Sequence, residues 1–494
     1  MRGKDKLLRL LDILALLVFA GVTFYLVWNH EAWRDEAQTW LLVTNQNLPR
    51  LLLHDLRYQC HPMLWYLILF PFAKLGFPFF FQSVLNWLLA IGAAALVVFR
   101  APFPRLTRYA VIFSYLMMFE YAVVARNYAL GAFVMFLIAS LYGQRFRRPI
   151  LYAFLVALLF QTHYLLFMAA FALAVLFAGE ARGRKDVNLW PPLFIMGASG
   201  LVMLLLAYMP ADHFYHALER SPPQWSTLKH VFGYLFVPLD RDVALWLLSL
   251  VGFAVMGAAV ISLLPQPPLL GVFLAALGWM FAIFVFRYQP GPNHIGLATV
   301  LLLFTFWVRT FYPDNGRMDI RWPRPREIPV AVFRRFVMIT MTCLFFLSIR
   351  YVGQVFVREE QMWYSGAKAA SQVIRKISEN ETFTDRIIVA CPASYGASVA
   401  VYLPERQFWY ADSRRFGTYW ANTAEETRNH DISQPEIIKR AGEQFQDLNN
   451  VLFIFKDPLP ADEIFGIKFL RIAAIENGIW AVSDERYYIY VAVP

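Results

Sequence analysis

Trp28-Asn29-His30-Glu31-Ala32-Trp33-Arg34-Asp35-Glu36-Ala37-Gln38-Thr39-Trp40 follows an apolar run near 8–28. A hydrocarbon core about 30 Å thick needs roughly 20 apolar residues to be crossed as helix, and the run meets that length. No small-residue cleavage site follows it; Trp28 and the acidic Glu31 do, so it reads as a retained anchor and not a signal peptide. The quoted stretch is then the first loop beyond the membrane. Residues 35–47 and 50–57 have helix-like apolar spacing with interspersed polar groups, which predicts helices lying flat at the interface. The run from Leu64 to Leu75 contains Pro71 and is too short to span, so it is expected to continue a re-entrant arrangement.

The rest of the chain has the same apolar character. Of 494 residues, 59% are hydrophobic, 17% aromatic and only 16% charged, with mean hydropathy +0.45. These values exclude a soluble enzyme, a secreted disulfide scaffold and a disordered regulator. Cys60, Cys343 and Cys391 are too few and too scattered for a zinc site or a disulfide framework. Eleven spans are expected, near 8–28, 80–98, 109–122, 127–142, 150–163, 164–178, 190–209, 244–264, 269–286, 295–312 and 332–350.

Charge orients them. With a cytoplasmic N-terminus, the inner segments together with Arg334 and Arg335 hold 19 Lys+Arg, against nine in the longer outer loops. The clusters Arg145-Arg147-Arg148, Arg182-Arg184-Lys185 and Arg317 to Arg326 then share one side, the positive-inside pattern. Residues 1–350 carry 30 Lys+Arg and 16 Asp+Glu, a balance of +14, and residues 351–494 carry 15 and 19, a balance of −4. The net charge of +10 therefore belongs to membrane loops, and no nucleic-acid partner is expected. An odd number of spans places the tail outside. There, 363–379 and 434–448 read as helices, 385–391 and Val451–Lys456 as strands, and 478–482 with 487–493 as a hairpin around Ser483-Asp484-Glu485-Arg486. The expected organisation is a transmembrane domain at 1–350 and an extracytoplasmic α/β domain at 351–494, without internal repeats.

The acidic pair beside the membrane has two readings. Asp35 and Glu36 in the first turn of an interfacial helix would favour the positive end of its dipole; alternatively, Asp35 is a general base in a cavity at the membrane surface. His61-Pro62 in the same loop, with Arg126, Arg287 and His294 at the outer ends of spans, strengthens the second.

Glu31-x-Trp33-x-Asp35-Glu36-Ala37 followed by His61-Pro62-x-Leu64-x-Tyr66 resembles the GT-C membrane glycosyltransferases, closest to the protein O-mannosyltransferase and lipid A aminoarabinose transferase branch. The close similarity covers about 28–76 and 120–135; topology covers the rest. The resemblance implies an α-helical polytopic membrane protein of about eleven transmembrane helices, with a small extracytoplasmic α/β domain. It further implies inverting transfer of a sugar from a polyprenyl monophosphate to a lipid, glycan or protein acceptor on the outer face of the cytoplasmic membrane. Asp35 matches the position of the general base, with Glu36 beside it, and His61 that of a residue contacting the lipid phosphate. Arg126 sits where the family often has an arginine ahead of an apolar helix. Met63 replaces the family's second proline, and Gln82 occupies a place where relatives often have arginine.

The chemistry suits these residue types. Displacement at an anomeric carbon passes through an oxocarbenium-like transition state. The acceptor hydroxyl needs a carboxylate to take its proton, and the leaving phosphate needs fixed positive charge or N–H groups. His61, Arg126, Arg287 and His294 are the phosphate candidates; Trp33, Arg57 and Tyr66 are candidates for acceptor or sugar contacts. No cofactor or metal is expected, although Asp212, His213, His216, Lys229 and His230 fall in one loop. His163 reads as a hydrogen-bonded packing residue. Phe408-Trp409-Tyr410 and Phe416 to Trp420, with Arg406, Arg414 and Arg415 interleaved, read as core aromatics or as an acceptor platform. Two other classes share parts of this pattern. A transporter or lipid flippase predicts inverted repeats and ionisable groups at mid-membrane; a polysaccharide polymerase or ligase would use a lipid diphosphate donor. No Gly-rich phosphate loop with Lys supports nucleotide hydrolysis.

Overall fold

The apolar run near 8–28 lies within one helix, Arg2–Asn29, in a computed structural model that describes residues 2–216, 223–238, 242–313, 317–320, 326–379 and 386–493. Among these residues seven helices are long and apolar enough to cross a membrane: Asp5–Asn29, Phe80–Arg100, Tyr164–Ala181, Ala244–Leu263, Pro267–Phe286, Pro292–Phe311 and Val330–Gln361. Four shorter apolar helices accompany them: Leu64–Lys74, Tyr128–Gln144, Pro149–Phe160 and Trp190–Leu206. Hydropathy locates ten of the eleven expected spans on these helices. Arg321 and Arg324 of the basic cluster, and Asp385 of the expected tail strand, lie outside the described residues.

The exception is 109–122, which is broken. An α-helix runs only from Arg105 to Ile112, a π-helical turn covers Leu116–Glu120, and non-helical backbone continues to Tyr128. Irregular backbone is tolerated at membrane depth where protein groups pair its N–H and C=O groups. Asn86, fully buried in Phe80–Arg100, donates to the carbonyls of Tyr121, Ala122 and Val124 at 2.9, 3.4 and 3.3 Å. Gln82, one turn earlier, donates to Ala125 O at 3.4 Å and to Glu36 O at 3.0 Å. Its amide is therefore part of the scaffold. Gly296 allows Pro292–Val308 to approach this break, since a Cβ there would lie 2.2 Å from Leu116 Cδ1 and 2.8 Å from the Tyr121 hydroxyl.

The first loop folds as its spacing predicts. Arg34–Asn45 is a helix whose residues 36–43 are buried, and Leu48–Gln59 forms three short consecutive helical pieces. Leu64–Lys74 runs through Pro71 as one helix. Pro149–Phe160 has 12 residues, about 18 Å at 1.5 Å per residue, so the turn that follows it at Gln161-Thr162-His163 stops short of a full bilayer crossing.

The last apolar helix, Val330–Gln361, extends beyond 350 and leads into the tail. After a short hairpin of β1 (Arg317–Ile320) and β2 (Arg326–Pro329), the tail contributes β3 (Ile387–Cys391), β4 (Phe408–Tyr410), β5 (Arg415–Phe416) and β6 (Val451–Phe455). It ends with β7 (Glu463–Ile464), β8 (Ile467–Ile475) and β9 (Tyr487–Val493). One mixed sheet results, in the order β5-β4-β3-β6-β9-β8-β7, with β3 parallel to both β4 and β6. Alternating side chains feed two cores. Ile388, Ala390, Leu452 and Ile454 pack with the helices Ala367–Ile377 and Ala393–Ala400; Val389, Phe453 and Phe455 pack with Gln434–Phe445.

The expected hairpin is re-paired: β9 is antiparallel to the nine-residue β8 and not to 478–482. Gly478, at φ +78°, turns the chain away. Residues 478–482 lie along Trp363-Tyr364, with Trp363 N–H bonded to Gly478 O at 2.7 Å and Val482 N–H to Tyr364 O at 3.0 Å. The tail helix Ala393–Ala400 packs on the interfacial helix Arg34–Asn45, which joins tail and membrane portions around the first loop.

Close packing of Thr227–Tyr234 on Asp242–Leu263 requires Gly252, where a Cβ would fall 2.1 Å from the Phe232 carbonyl oxygen. Gly252→Ala is expected to destabilise the protein by about 1–3 kcal/mol through overpacking. The check is the thermal unfolding midpoint in detergent; an unchanged midpoint would contradict this approach of the two helices.

Candidate functional site

Asp35 occupies the first turn of Arg34–Asn45, with Gln38 and Thr39 on the same face one turn later. Its carboxylate forms an ion pair with Arg126, the residue that ends the broken segment. Arg126 in turn donates to His61 Nε2 at 3.3 Å, and His61 Nδ1–H donates to the Gln59 carbonyl. Both His61 nitrogens are thus committed and the ring is neutral. Cys60, at φ 51°, closes the preceding helical piece and turns the chain into His61-Pro62.

The electrostatics follow from this packing. Burial alone would raise the Asp35 pKa, but the Arg126 charge, then that of Arg34 and the hydrogen bond from Arg126, hold it below the usual carboxylate value. Burial, followed by the Arg126 charge, pushes His61 down to about 4. At neutral pH the site therefore holds an ionised Asp35 and an uncharged His61.

These residues open onto a cavity of about 560 Å³. Its polar wall carries Asp35, His61, Tyr66, Arg126, His163 and His294. His294 is held by the Tyr128 hydroxyl at 2.7 Å from Nε2 and by Gly291 N–H at 3.3 Å from Nδ1. His163 accepts Leu165 N–H on Nδ1 at 3.1 Å, so its neutral ring carries the proton on Nε2. Arg287 is exposed at the cavity and has no carboxylate partner among the described residues. The lining also has an apolar part: Trp279, Ala282, Ile283 and Phe286 form one stripe of Pro267–Phe286, and Ala207 and Met209 line the cavity as well. Phe286, at the end of the stripe, is 56% exposed.

Asp35, His61, Tyr66, Arg126, Arg287 and His294 are thus brought together as the sequence predicts. Glu36, Trp33 and Arg57 are not. Glu36 points into the protein, fully buried, and accepts Ala125 N–H at 2.6 Å, Trp33 N–H at 3.3 Å and His30 Nε2–H at 3.3 Å. It holds the backbone beside Asp35 and Arg126 from behind and does not line the cavity. Trp33 caps the helix outside the cavity beneath the Arg34 guanidinium, and Arg34 reaches Asp484 and Glu485 of the tail. Arg57 is tied to the Tyr208 carbonyl at 3.1 Å and stacks over that ring, away from the cavity.

The structure adds His163, which sequence alone assigns to packing, and Gln38 and Thr39, which the helical period from Asp35 could have indicated. It also adds Trp420 and Asn422 from the tail. Trp420 belongs to the aromatic group for which core packing and a platform were both open. His213 does not join a metal cluster: its Nε2 is 3.0 Å from Tyr58 O and 3.3 Å from Cys60 Sγ. The His216 side chain lies outside the described residues. Among those residues no three His, Cys, Asp or Glu side chains are arranged to hold a metal ion.

No family model and no curated protein matches the sequence. Solved structures do. ArnT from Cupriavidus metallidurans bound to undecaprenyl phosphate aligns over 97% of this chain and 97% of its own, at 12% identity and a TM-score of 0.52. The fold is of the GT-C type. Arabinofuranosyltransferase AftD from Mycobacteria also aligns over 97% of this chain but 40% of its own, at 14% identity and a TM-score of 0.40. In this chain the Asp35–Arg126 pair joins the interfacial helix to the broken segment, and both residues line the cavity.

His30 locks the arrangement. It donates to Glu359 at 3.2 Å and to Glu36 at 3.3 Å, with its side chain 2% exposed. Burial would lower its pKa, but Glu359 and then Glu36 push it up to about 10. Because this exceeds the ordinary imidazole value of about 6.5, the stabilisation is full below about pH 6.5 and is lost as pH rises to about 10. The unfolding midpoint is expected to fall across that window in wild type and to fall less in His30→Gln. Parallel pH slopes for the two proteins would remove His30 from the alkaline response.

Proposed function

We propose that the chain is an integral membrane glycosyltransferase that moves a sugar from a polyprenyl-phosphate donor to a lipid, glycan or protein acceptor, inverting the anomeric carbon, with Asp35 as general base. The observation that carries this reading is the Asp35–Arg126 pair in one cavity that is also lined by an apolar helical stripe. A single carboxylate on the cavity wall suits direct displacement, which needs one base and a good leaving group.

In the proposed step the acceptor hydroxyl gives its proton to Asp35 while its oxygen bonds to the anomeric carbon. The bond from that carbon to the phosphate oxygen breaks, and the electron pair leaves with the polyprenyl phosphate. Arg126 and Arg287 would supply positive charge to the phosphate, and the His163 ring on the same cavity lining would offer a further N–H. His61 acts through Arg126, whose guanidinium it orients. Trp279, Ala282, Ile283 and Phe286 offer an isoprenoid chain an apolar track toward the bilayer. The step as written uses neither metal ion nor cofactor.

Arg126 also links donor binding to base strength. While paired with Arg126, Asp35 is ionised but weakly basic. A donor phosphate that draws the guanidinium toward itself would raise the Asp35 pKa when a sugar is present to react. The 19-to-nine distribution of Lys+Arg supports a cytoplasmic N-terminus, with cavity and tail on the periplasmic or extracellular side of the inner membrane.

Native mass spectrometry and lipid analysis of the detergent-purified protein test the reading. Asp35→Asn is expected to reduce transfer by about 10²–10⁴-fold while accumulating polyprenyl phosphate or its sugar conjugate. Arg126→Ala is expected to weaken undecaprenyl phosphate binding by about tenfold or more, the loss of a charge-assisted hydrogen bond. Undetectable binding of any polyprenyl phosphate to wild type would overturn the donor class, and unchanged affinity in Arg126→Ala would remove Arg126 from the phosphate site.

A further inference from the structure

The cavity is incomplete without the tail. Trp420 and Asn422 line it, although both belong to the segment between β5 and the helix Ala424–Arg428. This segment is fixed from three sides. Gln38 holds the Trp420 backbone with both halves of its amide, Nε2–H to Trp420 O at 2.7 Å and Oε1 from Trp420 N–H at 3.2 Å. Glu426 accepts the N–H groups of Ala421 and Asn422 at 2.7 and 2.8 Å. Phe214 N–H and Ala424 N–H bond across to Asn422 O and Asp212 O at 3.0 and 2.7 Å, tying the segment to the loop after Trp190–Leu206.

The side chains are ordered as firmly. Trp420 Nε1–H donates to Asn422 Oδ1 at 2.6 Å, which fixes the amide so that its Nδ2 carries the free donors. Asn422 sits at φ 58°, a left-handed conformation that asparagine tolerates and most residues do not. An indole face beside two N–H donors is the combination that a sugar ring requires: its C–H face packs on the aromatic surface and its hydroxyls accept the donors. Gln38 is three residues after Asp35, so the Trp420 backbone is held by a side chain one helical turn along the face that carries Asp35, and both residues line the one cavity.

We infer that Trp420 and Asn422 form an acceptor subsite that takes a saccharide ring, so that the acceptor is a glycan or glycolipid head whose neighbouring hydroxyl reaches Asp35. This rests on the glycosyltransferase reading above. It makes the tail a specificity element of the reaction site.

Saturation-transfer NMR on the full chain in phosphatidylcholine nanodiscs, free of sugar detergents, tests the subsite. The probes are free glucose, galactose, N-acetylglucosamine and arabinose. At least one is expected to receive saturation at its ring protons with wild type, to bind at least tenfold more weakly to Trp420→Ala, and to keep most of its affinity for Trp420→Phe. Absence of transfer to every probe, or equal affinity for Trp420→Ala, overturns the proposal. Lipid analysis then separates acceptor from donor sugar. Equal accumulation of the lipid-linked sugar on Asp35→Asn and on Asp35→Asn/Trp420→Ala supports the acceptor assignment, and its loss from the double variant moves Trp420 to the donor sugar and overturns it. A wild-type protein that binds a probe sugar but no undecaprenyl phosphate would overturn the parent reading and the acceptor role with it, leaving a saccharide site of another purpose.

Discussion

The need to pair backbone at 121–126 outside any regular helix is the constraint on which the site depends. A helix that stops at Ile112 and resumes at Tyr128 leaves carbonyls and N–H groups that the surrounding apolar side chains cannot satisfy. Asn86 and Gln82 pair the carbonyls, and Glu36 pairs the Ala125 N–H. Since Gln82 also binds the Glu36 carbonyl, one amide joins the start of the interfacial helix to the end of the break. Asp35 precedes Glu36 and Arg126 follows Ala125. Satisfying the backbone therefore brings the Asp35 carboxylate and the Arg126 guanidinium together, and the ion pair is a consequence of the scaffold.

A buried carboxylate such as Glu36 must itself be compensated. His30 does this with one ring nitrogen and uses the other on Glu359, near the end of the last membrane helix. The same region carries Glu31, which accepts Tyr364 N–H at 2.9 Å, and Arg34, which bridges to Asp484 and Glu485. The first loop is thus tied to the final turns of the chain by charge as well as by packing. A protein whose tail merely hung from its last span would have no need of these contacts.

What the sequence made legible was local. Spacing of apolar residues located the interfacial helix, the short helices and the two main tail helices, because an amphipathic face repeats every few residues. Asp35, His61, Arg126, Arg287 and His294 were legible as charged or ionisable groups at the ends of apolar runs. The break within 109–122 was not, since Tyr121 to Ala125 are as apolar as a span. Its trace lay elsewhere, in two amides four residues apart in an otherwise apolar helix. Glu36 and Trp33 were misplaced because neighbouring residues on a helix point in different directions. The part of Trp420 was beyond local reading altogether, for 382 residues separate it from Gln38.

The cavity is lined jointly by the interfacial helix, the membrane portion and the docked tail. The phosphate candidates come from broken or terminal backbone in the membrane portion, where irregular structure holds Arg126, His163 and His294 below the surface. The apolar stripe belongs to a continuous helix that can follow a lipid chain. The interfacial helix lies between these and the tail, with Asp35 turned to Arg126 and Gln38 to Trp420. One helical turn therefore joins a wall suited to a lipid-borne phosphate to a wall suited to a ring with hydroxyls. The proposed displacement would require that order, phosphate, carboxylate, acceptor, and Asp35 and Gln38 of the stretch that begins at Arg34 would set it.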